Sequence, residues 1–222
     1  MSGLQALTPA ERARHLGNPA GEIGIAIANS LNVNNKVLYD LTLPRLALAA
    51  GDHVLEIGFG NGRFVADTML LADRLKYCGI DISSTMLDEA TRFNAALIAD
   101  GTASFQLASA DKIPFGDNHF DKVFAIGVLH FWRDPAVELA EIRRVLRKGG
   151  LSVMIAIDPQ SASAIPHARP EYGFHLKDAD TLAALHREAG FDHVIVEIIE
   201  SPRTRPDGSS FINFTDLVVA TA

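Results

Sequence analysis

The residues Val54-Leu55-Glu56-Ile57-Gly58-Phe59-Gly60-Asn61-Gly62-Arg63 constrain this chain more than any other stretch. An apolar run of strand length carries a carboxylate and then meets three alternating glycines, Gly58, Gly60 and Gly62. Glycine has no Cβ, so such a backbone turns sharply and passes close to a ligand. A second apolar run, Tyr77-Cys78-Gly79-Ile80, ends in Asp81, whose two carboxylate oxygens match a pair of ribose hydroxyls. Strand, glycine turn, helix and acid-tipped strand, in that order, imply a parallel α/β unit that binds a nucleoside.

The chain beyond residue 50 keeps that alternation. Strands are predicted over His53–Ile57, Lys76–Asp81, Ala103–Ala108, Lys122–Ile126, Leu151–Ile157, His193–Ile199 and Phe211–Ala220. Helices are predicted over Gly62–Asp73, Ser84–Ala99, Pro135–Arg147 and Asp178–Ala189. Asp178 and the pair Asp134-Pro135 read as helix starts; Gly190 and Lys148-Gly149-Gly150 read as stops. Only Glu200–Ser210, with Pro202, Pro206 and Asp207-Gly208, separates the last two strands. That is a hairpin connection, so the final strand is expected to run antiparallel to its neighbour. The expected fold is α/β, a seven-stranded, mostly parallel sheet with a C-terminal antiparallel hairpin and helices before it.

One domain over residues 1–222 accommodates all of this. Residues 1–50 form a helical cap, 51–158 the cofactor-binding core, and 159–222 a substrate-side loop and the hairpin. Thr8-Pro9-Ala10-Glu11 reads as a capping box. Asn29, Asn32, Asn34 and Asn35 read as turn and cap residues at a second helix boundary, or as amides offered to a substrate.

Charge removes several function classes. The formal net charge is −7, and an acidic domain lacks the basic footprint that phosphate backbones require, so no nucleic acid partner is expected. A membrane surface is disfavoured for the same reason, and no apolar stretch reaches the roughly 20 residues that span a bilayer. The single cysteine, Cys78, forms no internal disulfide. With no basic segment leading into an apolar run at the N-terminus, a cytoplasmic location is expected. No metal site is expected either.

The spacing Glu56-x-Gly58-x-Gly60-x-Gly62 departs from the dinucleotide pattern G-x-G-x-x-G, which places glycine or alanine where Arg63 stands. Further motifs follow in order: Gly79-Ile80-Asp81-Ile82-Ser83, Ser109-Ala110-Asp111-Lys112-Ile113-Pro114-Phe115, Phe120-Asp121-Lys122-Val123 and Arg144-Val145-Leu146-Arg147-Lys148-Gly149-Gly150. From about residue 36 to 222 the chain resembles the class I S-adenosylmethionine-dependent methyltransferases, of the small-molecule, methyltransferase domain 11-like type.

That resemblance implies S-adenosylmethionine as cofactor and a Rossmann-like sheet. It implies that Gly58, Gly60 and Gly62 pass under the methionine half and that Asp81 takes the ribose hydroxyls. Glu56 either orients the loop, meets the cofactor ammonium through water, or is held by loop amides. Ile82 packs on the adenine face or in the core. Adenine falls to the Ser109–Asp111 loop, where the family commonly has aspartate at the position of Ser109. The amino contact is then open between Ser109 and Asp111, with the Ala110 N–H serving a ring nitrogen. The carbonyl near Ile126 or Gly127 accepts from the cofactor amino group. His130, just beyond, is the one candidate catalytic residue, either a general base, a wall of the substrate pocket, or a packed histidine that orients the loop.

A small molecule is the expected methyl acceptor. The segment Ile126-Gly127-Val128-Leu129 lacks the polar-Pro-Pro-aromatic motif of amino-methylating DNA enzymes, and Cys78 is misplaced for cysteine-dependent methylation. The acceptor pocket is expected between the N-terminal helices and the loop Asp158–Lys177. Acceptor atom and oligomeric state stay open. Two rival readings are a nicotinamide-dependent oxidoreductase and a non-catalytic S-adenosylmethionine-binding protein.

Overall fold

A computed structural model describes residues 7–204 and 208–222. Its sheet has seven strands: β1 His53–Ile57, β2 Lys76–Asp81, β3 Ala103–Leu107, β4 Phe120–Ile126, β5 Leu146–Ile157, β6 Asp192–Thr204 and β7 Ser210–Thr221. Their order is β3-β2-β1-β4-β5-β7-β6. The first five run parallel, while β7 pairs antiparallel with both β5 and β6. This is the architecture expected from the alternation and the hairpin. Pro206 and Asp207, read as turn residues, lie outside the described residues.

The helices are α1 Pro9–Gly17, α2 Gly21–Leu46, α3 Val65–Met69, α4 Ser84–Phe93, α5 Ala95–Ala99, α6 Ala136–Val145 and α7 Ala179–Glu188. Leu139, Ile142 and Val145 of α6 and Leu182 of α7 bury against one sheet face. Tyr39, Leu43 and Leu46 of α2 and Val65 of α3 bury against the other. The result is three layers, with β1 between β2 and β4. Because β2 and β4 leave β1 in opposite directions, a crevice opens at the carboxyl ends of these strands.

Local signals explain several boundaries. The capping box forms, with Thr8 Oγ1 accepting from Glu11 N at 3.2 Å and Glu11 Oε2 accepting from Thr8 N at 2.9 Å. Asp178 caps α7 by accepting from Thr181 N at 2.8 Å. Gly190 follows that helix at φ +88°, a left-handed conformation that glycine adopts without steric cost.

Five expectations are corrected. The asparagine cluster marks no helix boundary, since Asn29, Asn32, Asn34 and Asn35 all lie inside the continuous 26-residue α2. Burial of Tyr39, Leu43 and Leu46 on the sheet outweighs the small helix penalty of asparagine. The helix expected over Gly62–Asp73 shrinks to Val65–Met69, because Gly62 is left-handed at φ +68° and a turn follows Met69. The helix expected over Ser84–Ala99 breaks at Asn94, whose Nδ2 donates to Gly62 O at 3.0 Å and to Ala90 O at 2.9 Å. Gly149 and Gly150 stop no helix: α6 ends at Val145 and both glycines lie in β5. There Gly149 is left-handed and donates to Ala222 O, where the β4–β5 register shifts between Phe120 and Lys122. Pro135, not Asp134, occupies the N-cap of α6, and Asp134 accepts from Ala136 N at 3.3 Å.

Candidate functional site

At the carboxyl ends of β1, β2 and β4 lies a cavity of about 410 Å³, within the range of small-molecule sites. The loop after β1 forms its floor. Gly58 N donates to Ile80 O at 2.8 Å, which ties this loop to β2. All three glycines have positive φ, and their surroundings differ. At Gly58 a Cβ would run into Val128, and at Gly62 it would sit 2.7 Å from Asn94 Nδ2 and 2.8 Å from Ala90 Cβ. Gly60 alone faces open space, at φ +57°, with its position in the cavity lining. A cradle that a side chain would fill is what close approach of a ligand requires.

Asp81 ends β2 in the same lining and is 8% exposed. Its Oδ1 accepts from Ser83 N at 2.9 Å and its Oδ2 from Gly60 N at 3.0 Å. Burial pushes its carboxyl up to about 6, against the opposing pull of the N–H groups of Ser83, Gly60 and Ile82. Each oxygen keeps a lone pair beyond these bonds, so two further donors fit. Asp81 does not cap α4: that falls to Ser83, which accepts from Met86 N.

Glu56 behaves otherwise. It is 1% exposed and absent from the lining. Its Oε1 accepts a short bond from the Tyr39 hydroxyl, and its Oε2 accepts from the Tyr77 hydroxyl at 2.6 Å. The carboxylate is thus held by tyrosines and not by loop amides. Burial raises it to about 7, while the two hydroxyls pull it down. Tyr39 stacks on Phe64 at 4.1 Å, so this clamp fastens α2 to the core beneath the loop. Neither tyrosine carries a sequence signal for this role, because Tyr77 meets Glu56 across the β1–β2 pair and Tyr39 meets it only when α2 packs on the sheet.

The remaining site candidates divide. Ile82, Ser109, Ala110 and Gly127 line the cavity, and Ile82 is half exposed there. Gly62 and Asp111 do not line it. Gly127, at φ +71°, turns the chain out of β4 and donates to Ile155 O at 3.0 Å.

His130 follows in a short 3₁₀ turn, Leu129–Phe131, and is 4% exposed. Its ring stacks on Phe174 at 5.0 Å and 8°. Burial, with His167 and Lys177 adding to it, lowers its pKa to about 3, so the imidazole is neutral at physiological pH. Its Nδ1 is buried without a protein partner. Phe174 and His167, from the loop after β5, complete this wall, with His167 edge-on to Phe174 at 5.7 Å. Burial, followed by Arg12, lowers His167 to about 4. The N-terminal helices supply Leu16, Leu31, Asn32 and Asn35 to the same cavity. The loop Asp158–Lys177, expected at the acceptor pocket, thus brings His167 beside His130, a placement that no local sequence pattern encodes.

Known proteins resemble this chain in sequence and in fold. A family model described as a methyltransferase domain matches residues 55–154. The chain is 34% identical over 166 residues to the O-methyltransferase cnsE of Penicillium expansum, covering 72% of this chain and 59% of that protein. It is 31% identical over 176 residues to the 27-O-demethylrifamycin SV methyltransferase of Amycolatopsis mediterranei, covering 76% of this chain and 64% of that one. It therefore spans less than two thirds of these two relatives. A putative methyltransferase solved in complex with the Haloferax volcanii Trm112 methyltransferase activator superposes with a TM-score of 0.75 at 19% identity, covering 89% of this chain and 94% of that one. At that identity the match speaks for the fold alone.

Proposed function

The chain belongs to the class I S-adenosylmethionine-dependent methyltransferase family, and on that premise we propose that it transfers a methyl group from S-adenosylmethionine to a small molecule. One observation carries the cofactor assignment. The bare Cα of Gly60 and the buried carboxylate of Asp81 face the same cavity and are joined by a hydrogen bond. A ribose needs a paired acceptor, and the chain beside it needs a floor without side chains; the adjacent ends of β2 and β1 supply them side by side.

In this reading Asp81 takes the ribose hydroxyls and Ile82 covers one adenine face. Ser109 Oγ and the Ala110 N–H serve the adenine edge. Ser109 is preferred to Asp111 because Asp111 stands outside the lining. Gly58, Gly60 and Gly127 provide close backbone, while Glu56 and Gly62 act from behind, one through the tyrosine clamp and one through Asn94. When bound, S-adenosylmethionine supplies an activated methyl group on sulfur. The protein then has to align the acceptor and exclude water, and no catalytic triad is required.

His130 is the residue nearest in character to a base. A conjugate acid near 3 makes it a weak one at neutral pH. It serves as a neutral hydrogen-bond partner and pocket wall, and it can take a hydroxyl proton once the forming bond to methyl has made that proton strongly acidic.

Two measurements test the proposal together: calorimetric titration with S-adenosylmethionine, and S-adenosylhomocysteine release against a panel of small hydroxyl, amine and thiol compounds. Binding with turnover supports it. Tight binding with no turnover on any acceptor would favour a binding protein, and absence of binding would remove the cofactor assignment.

A further inference from the structure

Resting on the methyltransferase reading, we infer that the acceptor is an uncharged, ring-bearing hydroxyl compound, selected by a neutral wall of His130, His167 and Phe174. The argument begins with charge. Asp81 is the sole Asp, Glu, Lys or Arg side chain in the cavity lining among the described residues, and it stands at the end assigned to ribose. Leu16, Phe131 and Phe174 share one apolar cluster, and with Trp132 and the two histidines they wall the cavity away from Asp81 without a charged side chain. Lys177 lies behind this wall, its Nζ donating to the carbonyls of Trp132 and His175 at 2.8 and 3.0 Å. Arg12 lies near His167 but outside the lining.

A carboxylate or phosphate entering this end would lose water and meet no lining cation. An ammonium would meet no carboxylate. Each case leaves a charge desolvated without a partner, which is costly enough to exclude it. A neutral ring loses little, and it gains contact with the aromatic rings of Phe131, Trp132 and Phe174.

The polarity of this end is uncharged, from the two imidazoles of the wall and the amides of Asn32 and Asn35 on α2. The buried Nδ1 of His130 has no protein partner, and a buried polar atom of that sort calls for a ligand group or a water. A neutral imidazole presents one donor and one acceptor nitrogen, so a hydroxyl, which does both, is its natural complement. His167 lies close enough to act on His130 electrostatically and closes the same wall from a different chain segment. Two imidazoles without an adjacent carboxylate select for hydrogen bonding without selecting for charge.

The lone tryptophan, Trp132, stands in the lining and reports occupancy without turnover. Fluorescence titrations with 2-naphthol, 2-naphthoate and 2-naphthyl phosphate, in the presence of S-adenosylhomocysteine, compare one ring with three charges. 2-Naphthol is expected to bind at least about tenfold more tightly than either anion, the scale of one uncompensated charge. His167→Lys is expected to invert the order of naphthol and naphthoate, and His167→Gln to keep it. Circular dichroism and calorimetric binding of S-adenosylhomocysteine verify that each variant is folded with its cofactor end intact. Equal or tighter binding of the anions to the unaltered protein would overturn the inference, as would failure of all three probes to bind. An order unchanged in folded His167→Lys would overturn the role of the wall. Loss of S-adenosylhomocysteine binding by the unaltered protein would instead count against the methyltransferase reading itself.

Discussion

The two ends of the cavity are built in opposite ways. The end proposed for the nucleoside comes from strand ends and the turns directly after them: Gly60 after β1, Asp81 and Ile82 at and just after the end of β2, Ser109 and Ala110 just past β3. The sheet is rigid and its strands are in register, so a few consecutive residues fix that geometry. The acceptor end is assembled from α1, α2, the turn at His130 and the loop carrying His167 and Phe174. Those segments meet only through tertiary packing. The contrast explains how one scaffold keeps a donor site while its acceptor site changes by loop variation.

The carboxylates of neighbouring strands sharpen the same lesson. Asp81 spends its burial on the cavity; Glu56 spends its burial on the core. Removing Glu56 should therefore give the largest effect, and on stability. Glu56→Ala orphans two buried tyrosine hydroxyls, each costing roughly 1–3 kcal/mol, for a loss of roughly 2–6 kcal/mol in chemical denaturation. Glu56→Gln should also flatten the pH dependence of stability. The folded pKa of Glu56 is raised from 4.5 to about 7. Its contribution is therefore present below about pH 4.5 and lost as pH rises through about 7. Denaturation curves with the same slope in both proteins would show that Glu56 is not the group responsible.

Asp81→Ala comes next and acts on affinity. Loss of a charged acceptor should weaken S-adenosylmethionine binding by about 1.5–3 kcal/mol, with thermal stability nearly kept. Unchanged calorimetric affinity in a folded variant would sink the ribose role.

The third effect is a pH dependence at the same residue. Asp81 gains a proton as pH falls through about 6, so affinity should hold above that value and decline below it. The limiting slope is about 1.4 kcal/mol per pH unit, and the decline should vanish in Asp81→Asn. Smallest is Phe174→Leu at the other end, a near volume-conserving change costing below about 1.5 kcal/mol. It should weaken 2-naphthol binding by Trp132 fluorescence and leave S-adenosylmethionine affinity unchanged. Equal losses at both ends would erase the distinction between them.

Sequence reading succeeded where signals are local. All seven strands, the antiparallel end and the capping residues Thr8 and Asp178 follow from alternation, turn chemistry and side-chain acceptors near the chain they serve. It failed where a residue's partner is remote. Asn94 looked like an ordinary position in a long helix, yet its amide reaches back to Gly62 and breaks that helix. The asparagines of α2 looked like punctuation, yet sheet packing carries the helix through them. Glycines 149 and 150 looked like a stop, yet they shape the irregular start of β5.

The sequence by itself determined the α/β sheet, its terminal hairpin and the glycine turn, because short-range backbone geometry and alternating apolar runs specify them. Tertiary structure decided which carboxylate faces the cavity. Glu56 lies two residues before the first glycine and Asp81 on the next strand; Tyr77 of β2 and Tyr39 of α2 enclose the first, and the second faces the cavity. It also decided the acceptor wall, since His130, His167 and Phe174 become neighbours through contacts that no local pattern encodes.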